Sequence, residues 1–266
     1  SAVNQKLTGA YEIIVVDDGS SVDLSPIIRE FGSFKELKLL TQTNSGPAKA
    51  RNLGAKKSTG KMIVFLDDDC QPDPYWLENL RKYGQSENVI IGGKTINHFT
   101  NNLYSEASQI LVSHLYRFFK NTNQYFFTSN NFAVSRQTFF NQDGFDVDFN
   151  TSAGEDREFC VRALNKGVQL KYVPEAIVYH FHFMNFRQFC RMHFKYGTSA
   201  PLFAKKINDM GVNLTIIDNK FYTQLVYYMK TLVPNNLLRR KLLAILALSQ
   251  IMNTLGNIWG MYKLKL

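Results

Sequence analysis

Glu12-Ile-Ile-Val-Val-Asp-Asp-Gly-Ser20 and Lys61-Met-Ile-Val-Phe-Leu-Asp-Asp-Asp69 decide the reading of the fold. Each is a short, apolar, largely β-branched run that ends in acids, which predicts a buried strand running into a loop. Between them the pattern predicts a helix from Asp23 to Phe31 with Asp23 as its cap. A strand follows from Leu37 to Gln42. A second helix runs from Pro47 to Lys57, with Ser45 or Gly46 at the cap and Pro47 in the first turn. Strands alternating with helices at this spacing imply an α/β chain built from parallel βαβ units. In such sheets ligands collect beyond the carboxyl ends of the strands, where Asp17-Asp18 and Asp67-Asp68-Asp69 both fall.

Further along, strands are expected over Val89 to Ile96 and Val168 to Val173, the latter stopped by Pro174. Helices are expected over Asn102 to Phe119 and over Glu155 to Asn165, the second closed by Gly167. An extended segment from Phe126 to Ser135 holds Ser129-Asn130-Asn131. From Met184 the texture turns to Phe-, Arg- and Leu-rich helical sequence, which places a boundary between 1–183 and 184–266.

The chain has 266 residues, 45% hydrophobic and 20% charged, which suits one domain with a smaller appendage and excludes a disordered chain. Its formal charge of +9 suits an anionic partner: a nucleotide, a nucleic acid or an acidic membrane surface. The basic residues are scattered and form no nucleic-acid motif, so no nucleic acid is expected. Cys70, Cys160 and Cys190 form no CxxC pair, which argues against a disulfide framework or a zinc site and for a reducing compartment. Aromatic residues at 14% hint at an apolar partner or interface. Ser1 to Gly9 shows no signal segment and reads like the end of a helix, as in a chain that begins abruptly or a fragment.

Five features could carry chemistry. Adjacent Asp67, Asp68 and Asp69 repel one another unless a cation or hydrogen-bond donors compensate, and the D-x-D pair Asp67/Asp69 offers hard oxygen ligands suited to Mg²⁺ or Mn²⁺. A solvated acidic turn is the alternative. Asp17-Asp18-Gly19-Ser20 could accept hydrogen bonds from a base or ribose, or be a plain Asp-Gly turn. Gly46 to Asn52 opens a helix whose free N–H groups, with Lys49 and Arg51 nearby, could serve a diphosphate, or could be an ordinary helix start. Glu155-Asp156 could supply a general base, or simply offset a helix dipole. His180 and His182, two apart on an extended segment, could include a metal ligand.

The order of these features resembles the family 2 glycosyltransferases of the GT-A fold over about residues 11 to 200. The motifs are Val15-Val16-Asp17-Asp18-Gly19-Ser20, Gly46 through Gly54, Phe65-Leu66-Asp67-Asp68-Asp69, Ser129-Asn130-Asn131 and Glu155-Asp156. The resemblance implies a Rossmann-like, mainly parallel sheet flanked by helices, with a C-terminal helical extension. It implies an inverting, metal-dependent transfer from a nucleotide-sugar, with UDP expected as the nucleotide. Asp17, Asp18, Lys49, Asp67, Asp68, Asn130 and Asn131 would line the donor site. Asp67 and Asp69 would hold the cation, with His180 completing the set. Asp156 would be the base, with Glu155 beside it.

Two departures stand out. The family's opening strand of the type V-x-V-I-I-P-x-Y-N is missing, so the sequence is expected to be truncated. The Q-x-x-R-W motif of processive synthases is reduced to Gln188-Phe-Cys-Arg191 followed by Met192, which favours transfer of a single sugar. A nucleotidyltransferase of similar fold and a non-catalytic sugar-binding scaffold are the competing readings. In the C-terminal part, Arg239-Arg240-Lys241 precedes an apolar run, Leu242 to Met261, broken by a one-sided polar stripe at 249, 253 and 257. A membrane-interface element is expected there, with a saccharide or lipid-linked acceptor and a place at the inner face of the cell membrane. Packing within a helical bundle is the alternative.

Overall fold

The computed structural model describes residues 2–32, 34–84, 88–150, 153–214 and 217–265. The Ile-Ile-Val-Val run forms β1 (Ile13–Asp17), followed by α1 (Ser25–Glu30) and β2 (Leu37–Thr41). β1 and β2 pair in parallel, as expected of a crossover unit. Asp23 does not cap α1 as expected: Leu24 holds the cap position, and the Asp23 carboxylate accepts from the Ser25 N–H instead.

α2 (Pro47–Lys57) starts with Pro47 in its first turn, where a missing N–H has no consequence. Gly46 precedes it at φ +90°, and a Cβ there would press on the Asn150 carbonyl. Glycine is required on both counts. β3 (Met62–Phe65), β4 (Cys70–Pro72) and α3 (Trp76–Tyr83) follow, then β5 (Val89–Asn97) and α4 (Leu103–Phe119). The Asn102 side chain caps α4 by accepting from the Ser105 N–H. A 3₁₀ turn over Ser129–Asn131 leads into β6 (Phe132–Ser135) and α5 (Arg136–Asn141).

α6 (Glu155–Asn165) and β7 (Gln169–His180) come next. β7 does not stop at Pro174. The strand runs through it, because β7 lies beside an edge strand, β4, of only three residues. A residue without an N–H is tolerated where a ladder bond is not required.

β3, β6, β5, β7 and β4 form the larger sheet in that order. β6 runs antiparallel to both β3 and β5, so this sheet is mixed rather than built from parallel crossovers alone. Alternation along β6 divides the core. Ala133 joins Trp76, Leu80, Ile91, Val173 and Val178. Phe132 joins Phe65, Phe139, Phe145 and Phe159, whose rings meet at tilted and edge angles with centroids 5.0–6.1 Å apart.

The chain divides into two compact units, Ser1–Thr95 with Phe127–Tyr179, and Ile96–Phe126 with His180–Leu266. The second unit is thus discontinuous in sequence and includes α4. It contains α7 (Phe186–Asp209), α8 (Asn219–Leu232) and α9 (Asn236–Lys265). Ala107 and Ile110 of α4 share a core with Phe189, Phe221, Leu225, Met229, Leu242 and Leu246. Gln188 forms a reciprocal capping box with Asn185 at the start of α7.

α7 and α9 pack backbone against backbone through glycines. A Cβ at Gly197 would collide with the Asn253 carbonyl, at Gly256 with that of Phe194, and at Gly260 with that of Thr198. Small residues four apart permit this approach.

Candidate active site

Three elements of the first unit converge on Arg51. It sits on the α2 stripe shared with buried Ala48 and Ala55, so the helix period turns it inward. Its Nη2 donates to Asp67 Oδ1 at 2.7 Å, at the end of β3. Its Nη1 donates to Glu155 Oε1, also at 2.7 Å, at the start of α6. Gly154, at φ +100°, turns the chain into that helix. One cation thus joins the first aspartate of the D-x-D pair to the Glu155-Asp156 pair.

Asp67 and Glu155 pair with the Arg51 guanidinium, and Asp156 interacts with both Arg51 and Arg157. Burial, and then the neighbouring Asp156 carboxylate, push the Glu155 carboxyl up to about 7, against the pull of Arg51. Glu155 Oε2 is buried without a hydrogen-bond partner. Burial also raises Asp156, although Arg51 and the Ser129 and Arg157 N–H groups hold it back. Those two N–H groups fix both Asp156 oxygens, at 3.1 Å and 2.7 Å, while the residue stays partly exposed. Asp156 is therefore an oriented carboxylate with enhanced affinity for a proton.

The other expected residues have distinct places. Asp17 accepts from the Ser20 N–H at 2.8 Å, which holds its carboxyl below the usual range. Asp18 works against its own burial: Gln42, Ser45 and Gly46 donate to it at 2.7–2.8 Å and still lower its pKa. Both of its oxygens thus hold the loop that opens α2. Lys49 and Asp68 are exposed. Asn131 is buried and accepts from Trp76 Nε1 at 2.9 Å while donating to the Lys94 and Ala176 carbonyls. Its amide is a structural bridge. Asn130 is buried beside it and accepts from the Thr128 hydroxyl.

Asp69 accepts from the Cys70 thiol at 3.7 Å. Burial, then Asp69 and Asp67, push that thiol well up, so it keeps its proton. β4, which Cys70 opens, and β7, which His180 ends, are neighbours in the sheet. The sequence left open whether Arg51 serves a diphosphate or an ordinary helix start; its guanidinium is engaged by the carboxylates of Asp67 and Glu155. The signal for this was its i+3 spacing from Ala48 on an otherwise small-residue stripe.

Residues 1–148 match the family model described as glycosyl transferase family 2. The chain is 28% identical over 213 residues to a chondroitin synthase from Escherichia coli, covering 66% of this chain and 31% of that protein. It is 28% identical over 214 residues to a hyaluronan synthase from Pasteurella multocida, covering 67% and 22%. It thus spans less than a third of the length of either. Among solved structures it is similar to the mannosyltransferase PcManGT from Pyrobaculum calidifontis in complex with GDP-Man and Mn²⁺. The TM-score there is 0.58 at 15% identity, over 93% of this chain and 78% of that one. It is also similar to GalNAc-T7 with UDP, GalNAc and Mn²⁺, with a TM-score of 0.51 at 16% identity, over 83% and 52%. At such identities these two likenesses establish the GT-A-like fold.

Proposed function

The chain belongs to glycosyl transferase family 2, and from that premise we propose that it moves a sugar from a nucleotide-sugar, a UDP-sugar, to a hydroxyl of a saccharide or lipid-linked acceptor. The setting is the synthesis of a cell-surface polysaccharide or glycolipid, at the cytoplasmic face of the membrane. The observation that carries the reading is the convergence of Asp67, Glu155 and Asp156 around Arg51. A non-catalytic scaffold has no need of a partly exposed carboxylate held by two N–H groups.

Asp156 takes the proton of the acceptor hydroxyl. The freed oxygen attacks the anomeric carbon from the face opposite the diphosphate, whose bond to that carbon breaks, and the configuration inverts. Its raised proton affinity suits it to accept that proton. Glu155 and Arg51 hold the start of α6 against the end of β3. Asp17, Lys49 and Asp68 face the donor.

The donor set fits a hard divalent ion, Mg²⁺ or Mn²⁺. Asp67 and Asp69 would offer carboxylate oxygens and His180 an imidazole. Such an ion, when bound, offsets the charge that develops on the departing diphosphate.

A panel of UDP-, GDP- and dTDP-sugars, read by thermal shift and by nucleoside diphosphate release, tests the proposal. UDP-sugars are expected to stabilise the chain and to release UDP in the presence of acceptor. Silence across the whole panel overturns the transferase reading, and a response to GDP-sugars alone overturns the choice of UDP.

A further inference from the structure

α9 buries Leu242, Leu246 and the polar Ser249 and leaves an apolar face exposed. Helices on a water-soluble protein bury their apolar stripe and expose the polar one. Here Ser249 is fully buried, and the backbone at Asn253 and Asn257 lies against Gly197 of α7. The opposite face carries Ala244, Ala247, Ile251, Leu255, Ile258 and Tyr262, spaced three and four apart. Ile251, Leu255, Ile258, Tyr262 and the adjacent Trp259 are each 46–57% exposed. By length and composition α9 is apolar enough to cross a membrane, with a mean hydropathy of 1.4. Its inner face, however, is committed to α7 and to the core with α4, which leaves one face for a partner.

Charge decides which partner that is. From Asn219 to Leu266 the sequence holds Lys220, Lys230, Arg239, Arg240, Lys241, Lys263 and Lys265, and no Asp or Glu. This stretch alone supplies most of the formal +9 charge of the chain. Arg240 continues the apolar face at one end, and exposed Lys263 flanks it at the other. A second copy docked on the same face would bring like charges together with no acid to meet them. An anionic bilayer meets both requirements: acyl chains for the apolar face and phosphate headgroups for its basic ends. Trp259 and Tyr262, stacked with centroids 5.8 Å apart, are residue types that settle at the headgroup level.

We propose that α9 lies along the surface of an anionic membrane, its Ala244–Tyr262 face sunk to the headgroup–acyl boundary and its glycine face held by α7. This names the surface behind the membrane placement proposed above and rests on that reading for the choice of leaflet alone.

The chain has two tryptophans, and Trp76 is buried, so Trp259 is a native reporter. The full chain is mixed with vesicles of phosphatidylcholine, or of phosphatidylcholine with about one third phosphatidylglycerol, the acyl chains being brominated. Fluorescence quenching on the anionic vesicles is expected, with binding at least about tenfold weaker on neutral ones. The quenching should vanish in Trp259→Phe. The double variant Ile251→Glu/Leu255→Glu should lose binding at least about tenfold while melting at a near-normal temperature, because both positions are exposed. Arg240→Gln with Lys241→Gln should weaken binding and its salt dependence.

An intact, folded chain that shows no quenching overturns the proposal. So does a concentration-dependent dimer that shields Trp259 without lipid. Nucleoside diphosphate release with a soluble acceptor and no vesicles separates the two readings. Vesicle binding without turnover sinks only the sugar-transfer proposal, and turnover without binding sinks only this one.

Discussion

Arg51 and Glu155 stand 104 residues apart in the chain and meet at 2.7 Å. The bond joins the helix after β2 to the helix that carries Asp156. Because the same guanidinium also holds Asp67, the three residues form one charge unit rather than two separate ion pairs.

Removing the cation should therefore cost more than a surface pair would. Arg51→Met leaves Glu155 buried without its counter-charge and is expected to destabilise the first unit by about 3–5 kcal/mol. Arg51→Lys, which cannot bridge both carboxylates, should lose less. Chemical denaturation of both variants checks this, and a loss below about 1 kcal/mol for Arg51→Met would show the pairing to be a surface effect.

Asp156→Asn should leave donor affinity near normal and lower turnover by roughly a hundredfold or more, as loss of a general base does. Steady-state kinetics alongside calorimetric donor binding separate the two effects. A variant that retains near-normal transfer removes Asp156 from the role of base.

Donor affinity should depend on a divalent cation. Titration of the nucleoside diphosphate with Mn²⁺ or with EDTA should differ by at least about tenfold, since carboxylates and diphosphate repel without an intervening charge. Asp69→Asn should reduce that difference. Equal affinity in both conditions removes the metal from the site.

The pH dependence of stability has a separate origin at Glu12. Burial opposes its charge, but the N–H groups of Thr59 and Gly60, the Thr59 hydroxyl and Lys38 hold its pKa down at about 2, from 4.5. A carboxyl whose folded pKa is depressed contributes stability that is complete above its unfolded value. That contribution is lost as pH falls from about 4.5 through about 2. Glu12→Gln should flatten this acid limb in urea melts and leave stability at pH 7 lower than wild type.

Helices set by local signals were legible in the sequence, and those set by partners were not. Pro47 and Gly46 fix the start of α2, and α6 begins and ends as its pattern predicts. β4 is three residues long and owes its strand character to β7, so no local run announces it. β7 reads as ending at Pro174 because one chain cannot display which ladder positions lack a partner. The transfer of α4 to the C-terminal unit is likewise decided by Ala107 and Ile110 meeting residues more than seventy positions away. At the site, the acidic residues were visible as motifs. The division of labour between Asp17 and Asp18, and the structural engagement of Asn131, depend on hydrogen bonds from loops and strands distant in sequence.

The crossing of α7 and α9 is expected to fail under the smallest enlargement. Gly197→Ala forces a methyl group into the Asn253 carbonyl, and backbone cannot yield as a side chain can. A loss of about 1–3 kcal/mol confined to the second unit is expected, as overpacking produces. Hydrogen exchange, resolved by segment, locates it.

That crossing also makes the two helices one exchangeable part. A chimera that takes α9 from a relative while retaining α7 meets whatever side chain the donor carries at the positions of Gly256 and Gly260. Taking both helices together preserves the fit. Divergence in this unit must therefore proceed by matched changes at positions about sixty residues apart. The pair, not either helix alone, is the unit to transplant in a chimera.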